Sequence, residues 1–173
     1  IDTQVGSFNQ IIILNTLYNT IGVRKFIDLR LIQDMIKLDI VETKLDQKNT
    51  TILFSEVLGF AYNKLKDYYP AIGCYDKAIR INPKYVSAYI NKGAALSALG
   101  KKDKAIECYD EAIKLTPEEA GLFYNKGNAL VNLGENEKAI KCYDEAIRLN
   151  PSYDDAYHNK GLALIECEQN ERA

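Results

Sequence analysis

The chain of 173 residues has no tryptophan, one methionine, one histidine and four prolines. The lone histidine, His158, leaves no second imidazole for a zinc pair, and no Cys-x-x-Cys supplies thiolates instead. A glycine-rich phosphate loop and a nucleophile elbow are both missing. These absences predict a chain without a catalytic site, metal or cofactor. Apolar runs are short, as in Ile11-Ile12-Ile13-Leu14, against the ~20 residues of a membrane helix. Neither sign of charge dominates: 22 basic and 24 acidic side chains leave a net charge of −2. Nucleic acid and anionic membranes need a concentrated basic surface, so neither is an expected partner. No basic, then apolar, small-residue leader opens the chain, and no signal peptide is expected. The first residue is Ile, which leads us to expect a native start further upstream.

What the chain has is a period. Asn-Lys-Gly stands at 91–93, 125–127 and 159–161, each 34 residues from the last. Three units align without gaps, 52–85, 86–119 and 120–153, and a fourth runs from Asp154 to Ala173. Gly59, Gly93, Gly127 and Gly161 form one column; Ala71, Ala105, Ala139 and Ala173 form another. Tyr75, Tyr109 and Tyr143 recur, as do Ala78, Ala112 and Ala146, and Pro83, Pro117 and Pro151 close the units. Cys74, Cys108 and Cys142 keep the same step. Such spacing describes a repeat column of small, buried or half-buried residues, not a disulfide framework. Free thiols fit a reducing compartment, so a cytoplasmic location is expected.

Each unit reads as two helices. In the third, Phe123, Gly127 and Leu130 fall on one stripe, Gly134 interrupts, and Ala139, Tyr143, Ala146 and Leu149 form a second stripe. Proline cannot continue a helix interior, so Pro151 ends it. Thr116-Pro117-Glu118-Glu119 reads as a start signal for the next helix, with an oxygen cap, a first-turn proline and an acid. Asp154 and Asp155 also put negative charge at a helix start. Pro70 falls where a second helix begins and its missing N–H costs little. Small residues at fixed places let the helices approach, the tyrosines fill the space between them, and units must stack because one hairpin cannot bury both faces. Tyr89, Phe123 and Tyr157 are expected in the core.

A unit of this length with Gly, an aromatic, paired Ala and terminal Pro resembles the tetratricopeptide repeat (TPR) family over residues 52–173. The resemblance implies an all-α, right-handed superhelical solenoid of antiparallel helix pairs, first helices lining a concave surface. It implies a protein-protein interaction module or scaffold whose partner is a peptide or protein. Three departures stand out. Lys92, Lys126 and Lys160 replace the Leu expected before Gly, which Leu58 keeps, and long stems can cover apolar surface while the ammonium stays wet. Ser55 stands where a large aromatic is usual, which predicts a first unit that packs loosely or meets a different neighbour. Glu168 replaces a turn Gly, and with a unit ending at Ala173 it implies that the native chain continues or that this end packs on another chain.

Residues 1–51 lack the columns. Helices are expected at about 7–20 and 24–45, the second striped by Phe26, Leu29, Ile32, Ile36 and Ile40, and 47–50 reads as a loop. The segment reads as an N-terminal helical cap; a degenerate repeat or a dimerisation helix are the alternatives.

Carried onto this chain, the family's concave surface falls on Glu56, Phe60, Asn63 and Lys64 in the first unit and on Ile90, Asn91, Ala94 and Ser97 in the second. Tyr124, Asn125, Asn128 and Asn132 follow in the third, and His158, Asn159 and Leu162 in the fourth. A carboxylate clamp wants cations where this chain has Glu56, Ile90 and Tyr124, which argues against that mode. An asparagine ladder fits better: Asn91, Asn125 and Asn159 share its column, and an amide both donates and accepts, so it can read peptide backbone. Val57 interrupts that column in the first unit. The competing reading makes these asparagines plain consensus scaffolding. The candidate peptide-binding residues are Asn91, Asn125, Asn159, Phe60, Ile90, Tyr124, Asn128 and His158. Two alternatives for the whole chain are self-assembly into a homo-oligomer, through the N-terminal helices or the uncapped last unit, and a targeting domain of a larger enzyme such as a glycosyltransferase.

Overall fold

A computed structural model of the protein describes residues 47–171. The helices expected at about 7–20 and 24–45, and Ala173 of the alanine column, lie outside them. Among the described residues there are seven helices and no strand: α1 Gln47–Lys64, α2 Tyr68–Ile81, α3 Val86–Ala98, α4 Lys102–Leu115, α5 Ala120–Val131, α6 Asn136–Leu149 and α7 Asp154–Glu171. The fold is an all-α solenoid. Residues 47–50, expected as a loop, are the first turn of α1. Their composition explains it, since Gln and Lys are good helix formers and no Gly or Pro interrupts.

The turn within each pair is one device used three times. The amide of Lys101 bonds the carbonyl of Leu96 at 2.9 Å and that of Gly100 bonds Ser97 at 3.0 Å. Gly134 with Glu135, and Lys66 with Asp67, repeat the pattern on Val131 with Leu130 and on Asn63 with Tyr62. This is a Schellman cap, whose pivot needs a left-handed backbone. Gly100 and Gly134 supply it at φ 73° and 78°; Lys66 adopts φ 60° without being glycine. At the matching place in α7 stands Glu168, no pivot forms, and the helix runs on to Glu171.

Between pairs the logic differs from the sequence reading. Thr116 does not start α5. It is the C-cap of α4, and its hydroxyl donates to the Ala112 carbonyl at 3.2 Å. Asn82 and Asn150 cap α2 and α6 in the same column, their side-chain oxygens accepting the backbone amides of Lys84 and Ser152. Helix α5 begins at Ala120 behind Glu119 with no side-chain cap. The proline after the cap stops the preceding helix, so Thr-Pro here is a stop signal.

Packing follows the columns. Ala71, Ala78, Ala105, Ala112, Ala139 and Ala146 are fully buried, and Tyr75, Tyr109 and Tyr143 nearly so. Each tyrosine ring lies on the glycine of its own pair: a Cβ on Gly59, Gly93 or Gly127 would stand 2.6–2.7 Å from the ring. Gly161 meets nothing within 4 Å. The first helices touch in series, α1 with α3, α3 with α5, α5 with α7, whereas no two of the outer helices α2, α4 and α6 meet. The array therefore closes up on the first-helix side and splays on the other, which makes the first-helix layer the inner one. Ser55 is buried rather than leaving a gap. Tyr89 and Phe123 are half-buried, and Tyr157 is 51% exposed rather than core. Cys74, Cys108 and Cys142 are free thiols, and burial pushes all three up in pKa.

The lysines in the place of Leu pair across the seams. Lys92, Lys126 and Lys160 each reach an aspartate of the preceding outer helix, Asp76, Asp110 and Asp144, at 2.6 Å. The signal was in the chain, since each aspartate precedes its lysine by 16 residues.

Candidate peptide-binding groove

The inner layer α1, α3, α5 and α7 carries all eight candidate peptide-binding residues. At its far end Tyr124, Asn128 and Asn159 form one network. The Asn159 amide donates to the Asn128 carbonyl oxygen at 2.9 Å and to the Tyr124 hydroxyl at 3.2 Å. Tyr143 donates its hydroxyl to the same Asn128 oxygen at 2.8 Å. Tyr124 in turn stacks obliquely on Tyr153, ring centres 5.0 Å apart, and lies 6.1 Å from Tyr143. Burial, then the neighbouring Tyr124, raise the Tyr143 phenol to about 12, against a smaller opposing pull from Asn159.

Asn91 and Asn125 differ from Asn159. Both are half-buried and neither side chain makes a hydrogen bond within the described residues. Ile90 is half-buried, and His158 is exposed on α7. Phe60 is half-buried, with the ammonium of Lys64 4.9 Å from its ring centre. The structure thus joins Tyr124, Asn128 and Asn159 and leaves Phe60, Ile90, Asn91, Asn125 and His158 outside that network.

Two tyrosines went unread in the sequence. Tyr85 and Tyr153 precede α3 and α7 and bear on the inner layer: the Tyr85 hydroxyl donates to the Glu56 carboxylate, in the place where Tyr153 meets Tyr124 two units on. The positions lie 68 residues apart, two periods, but Glu119 between them hides the column. Burial, then the Glu56 contact, push the Tyr85 phenol well above its ordinary pKa. Behind Glu56, the Tyr75 hydroxyl is buried without a hydrogen-bond partner. On the outer side, α4 and α6 flank a groove of about 420 Å³ floored by Ile106, Leu130, Leu133 and Cys142. Among the described residues no group of three His, Cys, Asp or Glu side chains could hold a metal, and no helix is long and apolar enough to cross a membrane.

The chain belongs to the tetratricopeptide repeat family. A family model described as TPR repeat matches residues 93–134 and 127–166, and two described as tetratricopeptide repeat match 74–107 and 57–85. The fold is similar to the first TPR domain of human RPAP3, with 24% identity and a TM-score of 0.68 over 71% of this chain and 97% of that one. It is similar to the first TPR of Spaghetti (RPAP3) bound to the HSP90 peptide SRMEEVD, at 24% identity and TM-score 0.65, covering 71% and 94% of the two chains. The second TPR domain of human RPAP3, in complex with the HSP70 peptide SGPTIEEVD, is 21% identical with TM-score 0.65, covering 67% and 97%. No curated protein matches the chain.

Proposed function

We propose that this chain is a protein-interaction module that holds an extended peptide in the groove of its inner helices and performs no chemistry on it. Units 52–85, 86–119 and 120–153 with the partial unit 154–173 would form the groove. The observation that carries the proposal is the pair Asn91 and Asn125, equivalent residues one repeat apart with half-buried amides and no hydrogen-bond partner among the described residues. An amide in that state gains a hydrogen bond with peptide backbone at little desolvation cost. Ile90, Phe60 and Tyr124 would flank the peptide with apolar and aromatic surface. Asn159 and Asn128 already satisfy each other, so they act as a rigid end wall with Tyr124, and His158 borders it. The peptide complexes of related solenoids support the mode; the clamp chemistry does not transfer, because Glu56, Ile90 and Tyr124 occupy the cation positions.

The test is selection of peptides from a random display library on the full chain, followed by binding to Asn91→Ala/Asn125→Ala. We expect the double change to weaken selected peptides at least tenfold while the helical circular dichroism is unchanged. Equal capture by the folded double mutant overturns the groove assignment.

A second reading rests on α7. Leu162, Leu164 and Ile165 are 44–53% exposed there, whereas Leu96 and Leu130, the counterparts of Leu164, are buried under their own outer helices. An apolar face of this kind drives self-association. Sedimentation of the chain with Leu164→Glu/Ile165→Glu tests it: a concentration-dependent dimer that the change abolishes supports assembly, and a monomer in both removes it.

A further inference from the structure

We infer that the α1 end of the groove is a subsite for a cationic side chain, so that the bound peptide carries a lysine or arginine at one fixed register. The inference rests on the groove-binding reading and adds the chemistry of the ligand to it.

Three observations meet there. Glu56 is a half-buried carboxylate whose single hydrogen bond comes from the Tyr85 hydroxyl, and no cation of the described residues pairs with it. A carboxylate offers about four acceptor positions, so most of its capacity faces the groove unused. Lys64 and Lys84, which neighbour Phe60 and Tyr85, do not fill it: Lys64 sits over Phe60, and Lys84 is exposed, bonded only through its backbone amide to Asn82. One turn beyond Glu56 on the same face lies Phe60, and the ammonium over its ring marks a surface that accepts positive charge. Close by, the Tyr75 hydroxyl is buried next to the Asn63 side chain and within electrostatic reach of Glu56, and it brings no positive charge to the site.

The same column in the next two units holds Ile90 and Tyr124, so the acid occurs once and sets a register rather than a general field. The groove then reads in order as carboxylate and aromatic ring at α1, open amides at α3 and α5, and a tyrosine wall at α5 and α7. A peptide rich in acids would meet Glu56 with like charge. The peptides named in the complexes of similar TPR domains are acidic, SRMEEVD and SGPTIEEVD, whereas the α1 end of this chain's inner face is complementary to a basic one.

The experiment uses the peptides selected above. We expect them to share Lys or Arg at one position, and replacing that residue by norleucine to weaken binding to the native chain about tenfold. With Glu56→Gln, which keeps the acceptor for Tyr85, the same replacement should cost less than twofold. Glu56→Lys should shift selection from Lys and Arg towards Asp and Glu. Selected peptides without a shared cation, or an equal norleucine penalty in native and Glu56→Gln chains, overturn the inference while leaving the groove intact. Peptides insensitive to Asn91→Ala/Asn125→Ala overturn the groove and the subsite together.

Discussion

At the scale of the residue, equivalent positions carry different costs because their neighbours differ. Gly127→Ala sets a Cβ 2.6 Å from the buried ring of Tyr143, and overpacking of this kind costs about 1–3 kcal/mol. Gly161→Ala, in the same column, meets open space inside a helix and should stabilise by about 0.5–1 kcal/mol. Chemical denaturation of the two variants checks both signs. Lys66 makes the converse case, a left-handed pivot without glycine. Lys66→Gly relieves a penalty of about 1–2 kcal/mol, part of it returned as backbone entropy, so a net gain of about 0.5–1 kcal/mol in the midpoint analysis is expected. The columns of Gly, Tyr and Ala were legible in the chain because close packing tolerates few residue types. Thr116 was not, because the same hydroxyl can cap the start of a helix or finish the end of one. Its column mates Asn82 and Asn150 would have decided between them.

At the scale of the element, each seam between an outer helix and the next inner helix is closed by one Lys–Asp pair. These pairs are partly exposed, so a double-mutant cycle on Lys126→Met and Asp110→Asn should return a coupling of about 0.2–1 kcal/mol that falls as salt is added. Alkaline pH probes the same layer more sharply. Burial raises the phenols of Tyr109 and Tyr143 to about 12 from an ordinary 10. A raised folded pKa stabilises fully below the unfolded value, so this contribution is intact up to about pH 10 and is lost as pH climbs towards 12. Lys92 acts in the same direction: burial lowers its pKa, but the Asp76 bond and charge outweigh it and leave a net rise. The part of the tyrosinate absorbance that Tyr109→Phe or Tyr143→Phe removes should therefore appear together with loss of helical circular dichroism, whereas exposed rings such as Tyr69 and Tyr157 ionise without unfolding. Absorbance lost in those variants that rises while the native chain is still fully helical would contradict the buried tyrosine column. Helix pairing was legible from period alone. The seam pairs were legible only in part, since the 16-residue step from Asp to Lys recurs in the chain but does not show which helix each lysine faces.

At the scale of the molecule, each unit is stabilised by its neighbours, so protection should follow position. Hydrogen exchange is expected to be slowest in α3 to α6, which have partners on both sides, and fastest in α7, whose Leu162, Leu164 and Ile165 lie open. Uniform protection through Glu171 would mean that α7 is covered. The inner face was placed by the resemblance and the contacts of Tyr85 with Glu56 and of Tyr153 with Tyr124 were not, because they form only when successive units are stacked. The seam pairs have a last consequence. Every unit from the second onward offers a cation backward, and every unit of the first three offers a carboxylate forward, so the joint has a direction. A 34-residue segment copied in tandem would arrive with both halves of the connection already correct, and an inverted neighbour would set like charges face to face. Leu58 stands where the first unit would carry its backward cation, which makes that unit the ladder's natural first rung. Such an array can be lengthened by duplication without redesigning a single contact.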